Sequence, residues 1–313
     1  MTLRLGTRGS ALALAQAELV AEALRQAEPG LAVELVPIRT GGDEPARGGP
    51  ARERGPGEPG DKSRFVKEIE EALLAEEVGL AVHSAKDVPG ELPEGLAIVG
   101  VPERADPRDA ICGAPALGSL PEGAHVGTGS LRRRSQLLAR RPDLEVEDLR
   151  GNVDTRLRKL AEGSHDAIVL AAAGLERLGR AEGAPIGLDE MLPAPGQGCL
   201  ALEARTEDSR AAELAGRITE RGSLVALTAE RALVSSLGTS CRTPVAAHAR
   251  LADGELVLWA YAGLPDGSHW VADSLAGDPD EPSALGRAVA ERLETAGAGQ
   301  ILVEAERAAA APD

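Results

Sequence analysis

One pattern occurs twice in this chain, and it constrains the fold more than any other feature. Gly6-Thr7-Arg8-Gly9-Ser10 follows a short strand over residues 3–5. It precedes a helical stretch over residues 11–26, with Leu12, Ala15, Leu19 and Ala23 at helical spacing. Gly127-Thr128-Gly129-Ser130 opens a second helix in the same way. The echo continues beyond the turns. Residues 33–38 read as a strand ended by Arg39-Thr40-Gly41, and residues 144–149 as one ended by Arg150-Gly151-Asn152. A helix at 65–76 and a strand at 80–83 have counterparts at 154–162 and 167–170. Arg39 and Arg150 stand 111 positions apart, whereas Gly79 and Asp166 stand only 87 apart. The difference of 24 matches residues 41–64, so the first copy carries a loop that the second lacks. Within it, residues 43–60 are crowded with Gly, Pro and charge and read as a mobile loop.

Strands alternating with helices argue for parallel βαβ units, here twice over. Two such α/β domains with ligand-binding turns at strand ends resemble the type 2 periplasmic-binding-protein architecture, where ligands sit outside the carboxyl ends of the strands. The first domain is expected over residues 1–102 and 198–218, taking back a strand near 199–205 after a crossover at 192–198, and the second over 103–197. From Thr219 the pattern changes. A helix over 224–237 precedes three strands near 245–252, 255–262 and 269–275, with Asp253-Gly254 and Asp266-Gly267 as hairpin turns. A helix over 283–295 closes the pattern, and the Ala-rich end beyond Arg307 is expected to fray. Residues 219–313 thus read as a smaller α+β domain built on a three-stranded antiparallel sheet.

Composition removes whole classes of function. With 34 basic and 50 acidic side chains the net charge is −16, which repels phosphate backbones. Aromatic residues make up 1%, too few to build base-stacking platforms. No nucleic-acid partner is expected. Cys112, Cys199 and Cys241 are spaced 87 and 42 residues apart, with no CxxC pair and no Cys/His cluster at zinc spacing. No metal site and no disulfide framework follow from that, and a reducing compartment fits best. The first ten residues lack the features of a signal peptide, and the apolar run at 167–173 is too short to span a bilayer. The expectation is a cytoplasmic protein with no membrane partner.

Against this acidic background, eight basic residues fall at turns, helix starts or strand ends of the two copies. They are Arg8, Lys62, Lys86, Arg132, Arg133, Arg150, Arg156 and Arg177. Scattered arginines are ordinarily solvated surface charges. A set at equivalent strand ends, beside turns whose free N–H groups favour anions, instead suits a polycarboxylate ligand. Two more positions carry chemistry. Asp87, in His83-Ser84-Ala85-Lys86-Asp87, can remain ionised beside Lys86 and stabilise a developing cation, or it can simply cap a turn. Cys241 follows a loop Ser and precedes Arg242, which favours a thiolate, whereas Cys112 and Cys199 sit in apolar settings. A cytosolic polycarboxylate-binding protein or sensor on the same two-lobed fold would also account for the arginines, but it leaves Cys241 and the third domain idle.

Seven segments in order, spread essentially end to end, resemble the hydroxymethylbilane synthase family, also called porphobilinogen deaminases. They are Gly6 to Ser10 with Leu12 to Gln16, Phe65-Val66-Lys67-Glu68, His83 to Pro89, Gly127 to Arg133, Leu149 to Val153, Leu192-Pro193-Ala194-Pro195-Gly196-Gln197-Gly198, and Cys241 with Pro244. The resemblance implies an enzyme that condenses four porphobilinogen molecules, with loss of ammonia, onto a dipyrromethane cofactor, and then releases hydroxymethylbilane by hydrolysis. It implies a monomer with the cofactor held covalently through Cys241. It assigns Asp87 to catalysis. Cofactor contacts fall to Ser84, Lys86, Asp87, Thr128, Ser130, Arg132, Arg133 and Arg156, and substrate contacts to Arg8, Ser10, Gln16, Lys62, Phe65, Arg150 and Arg177. Thr239-Ser240 stands where the family often has Gly-Gly, and residues 60–64 depart from its usual Gly-rich run.

Overall fold

The computed structural model describes residues 2–40, 63–238 and 243–310, with side chains at all of these except 63–65 and 309–310. The loop at 43–60, Lys62, Cys241 and the side chain of Phe65 therefore lie outside the described residues.

In chain order the structure begins β1 (Thr2–Arg8), α1 (Ala11–Ala27), β2 (Ala32–Ile38), α2 (Ser63–Leu74), β3 (Leu80–Ser84) and β4 (Leu96–Gly100). There follow β5 (Asp109–Cys112), β6 (His125–Gly127), α3 (Leu131–Arg140), β7 (Glu145–Glu147), α4 (Val153–Ala161), β8 (Ala167–Ala171), α5 (Ala172–Arg177) and β9 (Ala184–Pro185). The remainder is β10 (Leu200–Arg205), α6 (Ser209–Arg217), α7 (Arg221–Ser236), β11 (Val245–Ala252), β12 (Glu255–Gly263), β13 (Trp270–Gly277), α8 (Pro282–Thr295) and α9 (Ala298–Ala310). The chain divides into two compact units, Met1–Arg104 with Cys199–Leu224, and Ala105–Gly198 with Val225–Asp313.

The first unit holds a five-stranded sheet in the order β2-β1-β3-β10-β4. β1 is parallel to β2 and β3, while β10 runs antiparallel to both β3 and β4. The expectation of parallel units thus needs one correction: each five-stranded sheet is mixed, with a single reversed strand. In the first sheet that strand is β10, supplied from far down the chain. Both faces are covered. Leu3, Leu5, Leu80, Val82 and Leu202 share a core with Val20, Leu24 and Leu214 on one side. On the other side Ala81 and Leu96 pack with Ile69, Leu73 and Val78. Double burial explains why β3 is an unbroken apolar run over Leu80–Val82 rather than an alternating one.

The helix α1 starts where Ser10 Oγ accepts the Ala13 amide at 3.3 Å, a side-chain cap. Its buried stripe is Ala13, Gln16, Ala17, Val20, Ala21 and Leu24. This corrects the stripe read from the sequence by one position, and Leu19 is 54% exposed. The helix is apolar nearly all round, so its periodicity identifies a helix without fixing which face turns inward.

The second unit repeats the plan. Its sheet runs β7-β6-β8-β5-β9, with β6 parallel to β7 and β8, and β5 antiparallel to β8 and β9. Here the reversed strand precedes the parallel ones in the chain, whereas in the first unit it follows them. The same unit contains the antiparallel sheet β11-β12-β13, whose core side chains Leu256, Leu258 and Ala260 meet Leu233, Val289, Leu293 and Leu302. The β11–β12 hairpin closes through Asp253 at φ 52° and Gly254 at φ 84°, the left-handed pair a two-residue turn needs. β12 docks on α3 through Tyr261 Oη, 2.8 Å from Ser135 Oγ. Gly267, at φ 73°, lies against the same helix, where a Cβ would come within 2.3 Å of the Ala139 amide. The frayed end expected beyond Arg307 is instead helical through Ala310, and a second closing helix, α9, follows Gly297.

Candidate functional site

In the first unit the parallel pairing of β1 and β3 brings their carboxyl ends to one sheet edge. Arg8 ends β1 and Ser84 ends β3, both half-buried. A single 3-10 turn over Ala85–Asp87 follows. The Ala85 amide donates to Cys199 O at 3.1 Å and the Val88 amide to Ala85 O at 3.2 Å, so the turn is anchored at both ends. Lys86 and Asp87 on it are half-buried. Ser10 stands beside Arg8 in sequence, its hydroxyl committed to capping α1, and Gln16 is buried one turn further along.

In the second unit the equivalent edge is formed by the carboxyl ends of β6, β7 and β8. Thr128 and Ser130 make the turn from β6 into α3. The Thr128 amide donates to Glu147 O at 2.9 Å, Thr128 Oγ1 accepts from the Ser130 amide at 3.3 Å, and Ser130 Oγ accepts from the Arg133 amide at 3.4 Å. Both hydroxyls therefore build the turn. Arg132 and Arg133 on the first turn of α3 are buried and converge on Asp109, the first residue of β5. Arg132 Nη1 donates to Asp109 Oδ2 at 2.7 Å and to Leu192 O at 2.6 Å. Arg133 Nε donates to Asp109 Oδ1 at 3.0 Å, and its Nη1 to Val169 O at 2.8 Å. Gln197 Nε2 adds a bond to Asp109 Oδ1 at 2.9 Å and another to Pro107 O at 2.8 Å. Burial alone would raise the Asp109 carboxyl, but Arg132 and then Arg133 outweigh it and hold the group well below the usual carboxylate range.

Arg156, on the first turn of α4, is placed differently. Its Nε donates to Gly151 O at 2.7 Å, and among the described residues no carboxylate pairs with it. Burial first, then the neighbouring Arg133 charge, pushes its guanidinium down to about 10, with Asp148 opposing. Arg132 Nε is likewise buried with no acceptor among the described residues. This edge thus has more cation than anion. Arg150 stands apart, 83% exposed and bonded to Asp148 Oδ2 at 2.7 Å. Arg177 is half-buried and donates to Gly198 O at 2.6 Å, bracing the Gln197 segment.

The sequence-predicted residues therefore fall into two sets. Arg8, Ser10, Ser84, Lys86 and Asp87 gather at one edge of the first unit. Thr128, Ser130, Arg132, Arg133 and Arg156 gather at the matching edge of the second. Asp109 escaped the sequence reading. The only signal for it was a charged residue opening an apolar strand, Asp109-Ala110-Ile111-Cys112.

Comparison with known proteins adds the following. A family model described as porphobilinogen deaminase, dipyromethane cofactor binding domain, matches residues 3–213, and one described as porphobilinogen deaminase, C-terminal domain, matches residues 224–295. A porphobilinogen deaminase of Roseiflexus castenholzii is 48% identical over 306 residues, 96% of this chain and 98% of that protein. One of Syntrophobacter fumaroxidans is 46% identical over 310 residues, 98% of each. A solved periplasmic substrate-binding protein of an ABC transporter from Coxiella burnetii covers 71% of this chain and 94% of its own, at a TM-score of 0.42 and 14% identity. That last likeness is too loose to carry weight.

Proposed function

The chain belongs to the porphobilinogen deaminase family, and we propose that it joins four porphobilinogen molecules head to tail and releases linear hydroxymethylbilane. Membership makes it an enzyme of tetrapyrrole synthesis whose substrate is porphobilinogen, with a dipyrromethane-binding domain over residues 3–213. The observation that carries the finer reading is the surplus of positive charge around Arg156 and Arg133. Arg156, with no carboxylate pairing it among the described residues and the Arg133 charge acting against it, would be stabilised by a bound anion. Each pyrrole of the cofactor and the substrate bears an acetate and a propionate, the planar carboxylates that arginine binds through paired hydrogen bonds.

We assign cofactor attachment to the Cys241 thiol, through a thioether. Support comes from the other two cysteines. Cys199 is fully buried, and the Cys112 thiol, bonded to Glu182 O at 3.7 Å, is pushed up to about 11 by burial and by Glu182. Cys199 is closed off from solvent, and Cys112 is also held as a thiol near neutrality. Arg132, Arg133 and Arg156 would hold the cofactor's carboxylates, with Thr128 and Ser130 shaping the turn beneath them; the assignment of Ser84, Lys86 and Asp87 to cofactor contacts rests on the family resemblance. When bound, the dipyrromethane supplies the pyrrole carbon to which the first substrate unit is joined. Arg8, with the sequence-assigned Lys62, Arg150 and Arg177, would bind porphobilinogen's carboxylates, and Ser10, Gln16 and Phe65 would make its remaining contacts.

Asp87 has the central chemical role in this proposal. Porphobilinogen loses ammonia from its aminomethyl carbon, and the positive charge left behind spreads to the pyrrole nitrogen. A fixed carboxylate near that N–H stabilises the charge as it develops and accepts the proton lost when aromaticity returns. Four such losses and one water balance as four porphobilinogen plus H₂O giving hydroxymethylbilane plus four NH₃. We further read the protein as a cytoplasmic monomer with functional domains at 1–102 with 198–218, 103–197 and 219–313. Its exposed large apolar side chains, such as Leu19, Trp270 and Val303, are scattered along the chain. The test is turnover of purified protein with porphobilinogen. One ammonia should appear for each substrate consumed, alongside a linear tetrapyrrole. Binding of porphobilinogen without consumption would instead favour a polycarboxylate sensor.

A further inference from the structure

Three ionisable side chains that this chemistry leaves unused are buried together under the edge of the first sheet. Glu70 on α2 is 8% exposed, His83 on β3 4% and Glu203 on β10 1%. The antiparallel register pairs Ala201 with His83 and Ala81 with Glu203, which puts the imidazole and the Glu203 carboxylate on one sheet face, two residues apart. His83 Nε2 lies 2.9 Å from Glu203 Oε2. α2 covers that face through Ile69 and Leu73, and Glu70 completes the group. Among the described residues, Glu70 Oε1 and Glu203 Oε1 have no hydrogen-bond donor, and Glu203 Oε2 faces only the His83 imidazole. Two carboxylates and an imidazole in an apolar layer are costly to keep without a purpose.

The Glu70 carboxyl is pushed up to about 7, by burial first and then by the like charge of Glu203, with His83 opposing and Glu71 adding slightly. The other charged groups on this face leave that balance intact. By strand alternation β1 brings Arg4 and Arg8. Arg4 lies 3.9 Å from Glu34, with both side chains about half exposed. β10 brings Arg205, which donates to Leu73 O at 2.5 Å and Val78 O at 3.1 Å and pairs with Asp208 at 2.9 Å. β4 brings no charge, and α2 adds Lys67, Glu68 and Glu71, of which Lys67 and Glu71 pair with each other at 3.8 Å. With its carboxyl near 7, Glu70 passes from neutral to ionised across neutral pH. Its ionisation adds one negative charge next to His83, which precedes Ser84 at the end of β3 and the turn that carries Lys86 and Asp87. Extending the Gly6–Ala81 pairing by two residues also sets Arg8 beside His83.

We propose that Glu70, His83 and Glu203 form a buried positioning cluster that sets the pH range over which the Arg8–Lys86–Asp87 edge binds porphobilinogen. The proposal rests on the functional reading above. A negative charge arriving next to His83 weakens the hold of neighbouring Arg8 on the substrate's carboxylates, so KM should rise as pH passes 7 while kcat changes little. The rise is on the order of three- to tenfold, the size expected of up to one pKa unit of coupling. Glu70→Gln locks the neutral state. It should keep the low KM at pH 8 and leave the value at pH 6 unchanged, whereas a merely structural Glu70 would leave the KM–pH curve with its wild-type shape.

The experiment combines three measurements on full-length protein. Carboxyl-carbon NMR of glutamate-labelled wild type and Glu70→Gln locates the Glu70 titration without reference to activity. KM and kcat are taken from pH 6 to 8.5, and intact mass reports the pyrrole adduct. Titration near 7 with a flattened KM curve in Glu70→Gln supports the proposal. Titration in the ordinary carboxylate range overturns it, as does an unchanged KM curve in adduct-bearing, active protein. Protein with no adduct and no turnover sinks the functional reading, and the role given to the cluster falls with it.

Discussion

Replacing Asp109 by Asn takes one charge out of a fully buried knot and leaves Arg132 and Arg133 facing each other without a counterion. In the native unit the carboxylate accepts from Arg132 at 2.7 and 3.3 Å, from Arg133 at 3.0 Å and from Gln197 at 2.9 Å. Breaking a buried pair by removing one partner costs about 3–5 kcal/mol, because the surviving charge stays desolvated. For a unit of this size about 1 kcal/mol moves the melting temperature by roughly 2–4 °C, so the variant should melt on the order of 10 °C lower. The pH dependence has a definite sign. The native carboxyl lies below its ordinary value of 3.8, so its contribution is complete above that value and is lost progressively as pH falls beneath it. The gap between wild type and Asp109→Asn should therefore be constant from pH 7 to pH 5 and narrow below about pH 4. Replacing the whole knot by Asp109→Leu, Arg132→Met and Arg133→Met should recover most of the melting temperature, since an apolar isostere of a buried ion cluster is often neutral or better. It should recover none of the cofactor binding. Calorimetry across pH 3 to 7, with intact mass for the adduct, covers both arms. An Asn variant melting within about 2 °C of wild type, or a triple variant that still carries the adduct, would refute the argument.

Two further outcomes follow from the same structure. Asp87→Asn should slow each addition of porphobilinogen by about 10²–10³ with the melting temperature unchanged, while Asp87→Glu should retain more activity than Asn. If Asp87 only caps a turn, Asn will be nearly silent when single additions are timed by rapid quench. Cys112 and Cys199 should resist iodoacetamide in native protein at pH 8 and react only on unfolding, because both are buried and the Cys112 thiol is held near 11. Peptide mapping that found either one alkylated as fast in the native as in the unfolded protein would contradict their burial.

Much of this was legible in the sequence because the chain states it twice. The two Gly-Thr turns and the paired strands at 80–84 and 167–171 sit at equivalent places in two sheets of identical layout, and Arg39 and Arg150 hold matching positions, although β7 ends at Glu147, short of the strand end read at Arg150. What the sequence concealed has physical causes. The inward face of α1 was misplaced by one residue because Ala and Leu occupy nearly every side of that helix. β5 and β9, four and two residues long, are too short for periodicity to register, and β5 carries Asp109. Asp109 meets arginines 23 and 24 positions away, and Glu203 meets a histidine 120 positions earlier, through sheet register that no local pattern encodes. Lys62, Phe65 and Cys241 rest on sequence alone, since their side chains lie outside the described residues.

The central claim is that this chain carries a pyrrole cofactor on one particular sulfur, and denaturing intact-mass spectrometry tests it most directly. Wild-type protein, unfolded in acid and freed of all non-covalent ligands, should weigh more than its sequence by two linked pyrroles, with the adduct mapping to the peptide that contains Cys241. Cys241→Ser should weigh what its sequence predicts and be inactive, while Cys112→Ser and Cys199→Ser should keep both the adduct and turnover. Wild-type protein at its bare sequence mass, or an adduct that survives in Cys241→Ser, would contradict the account.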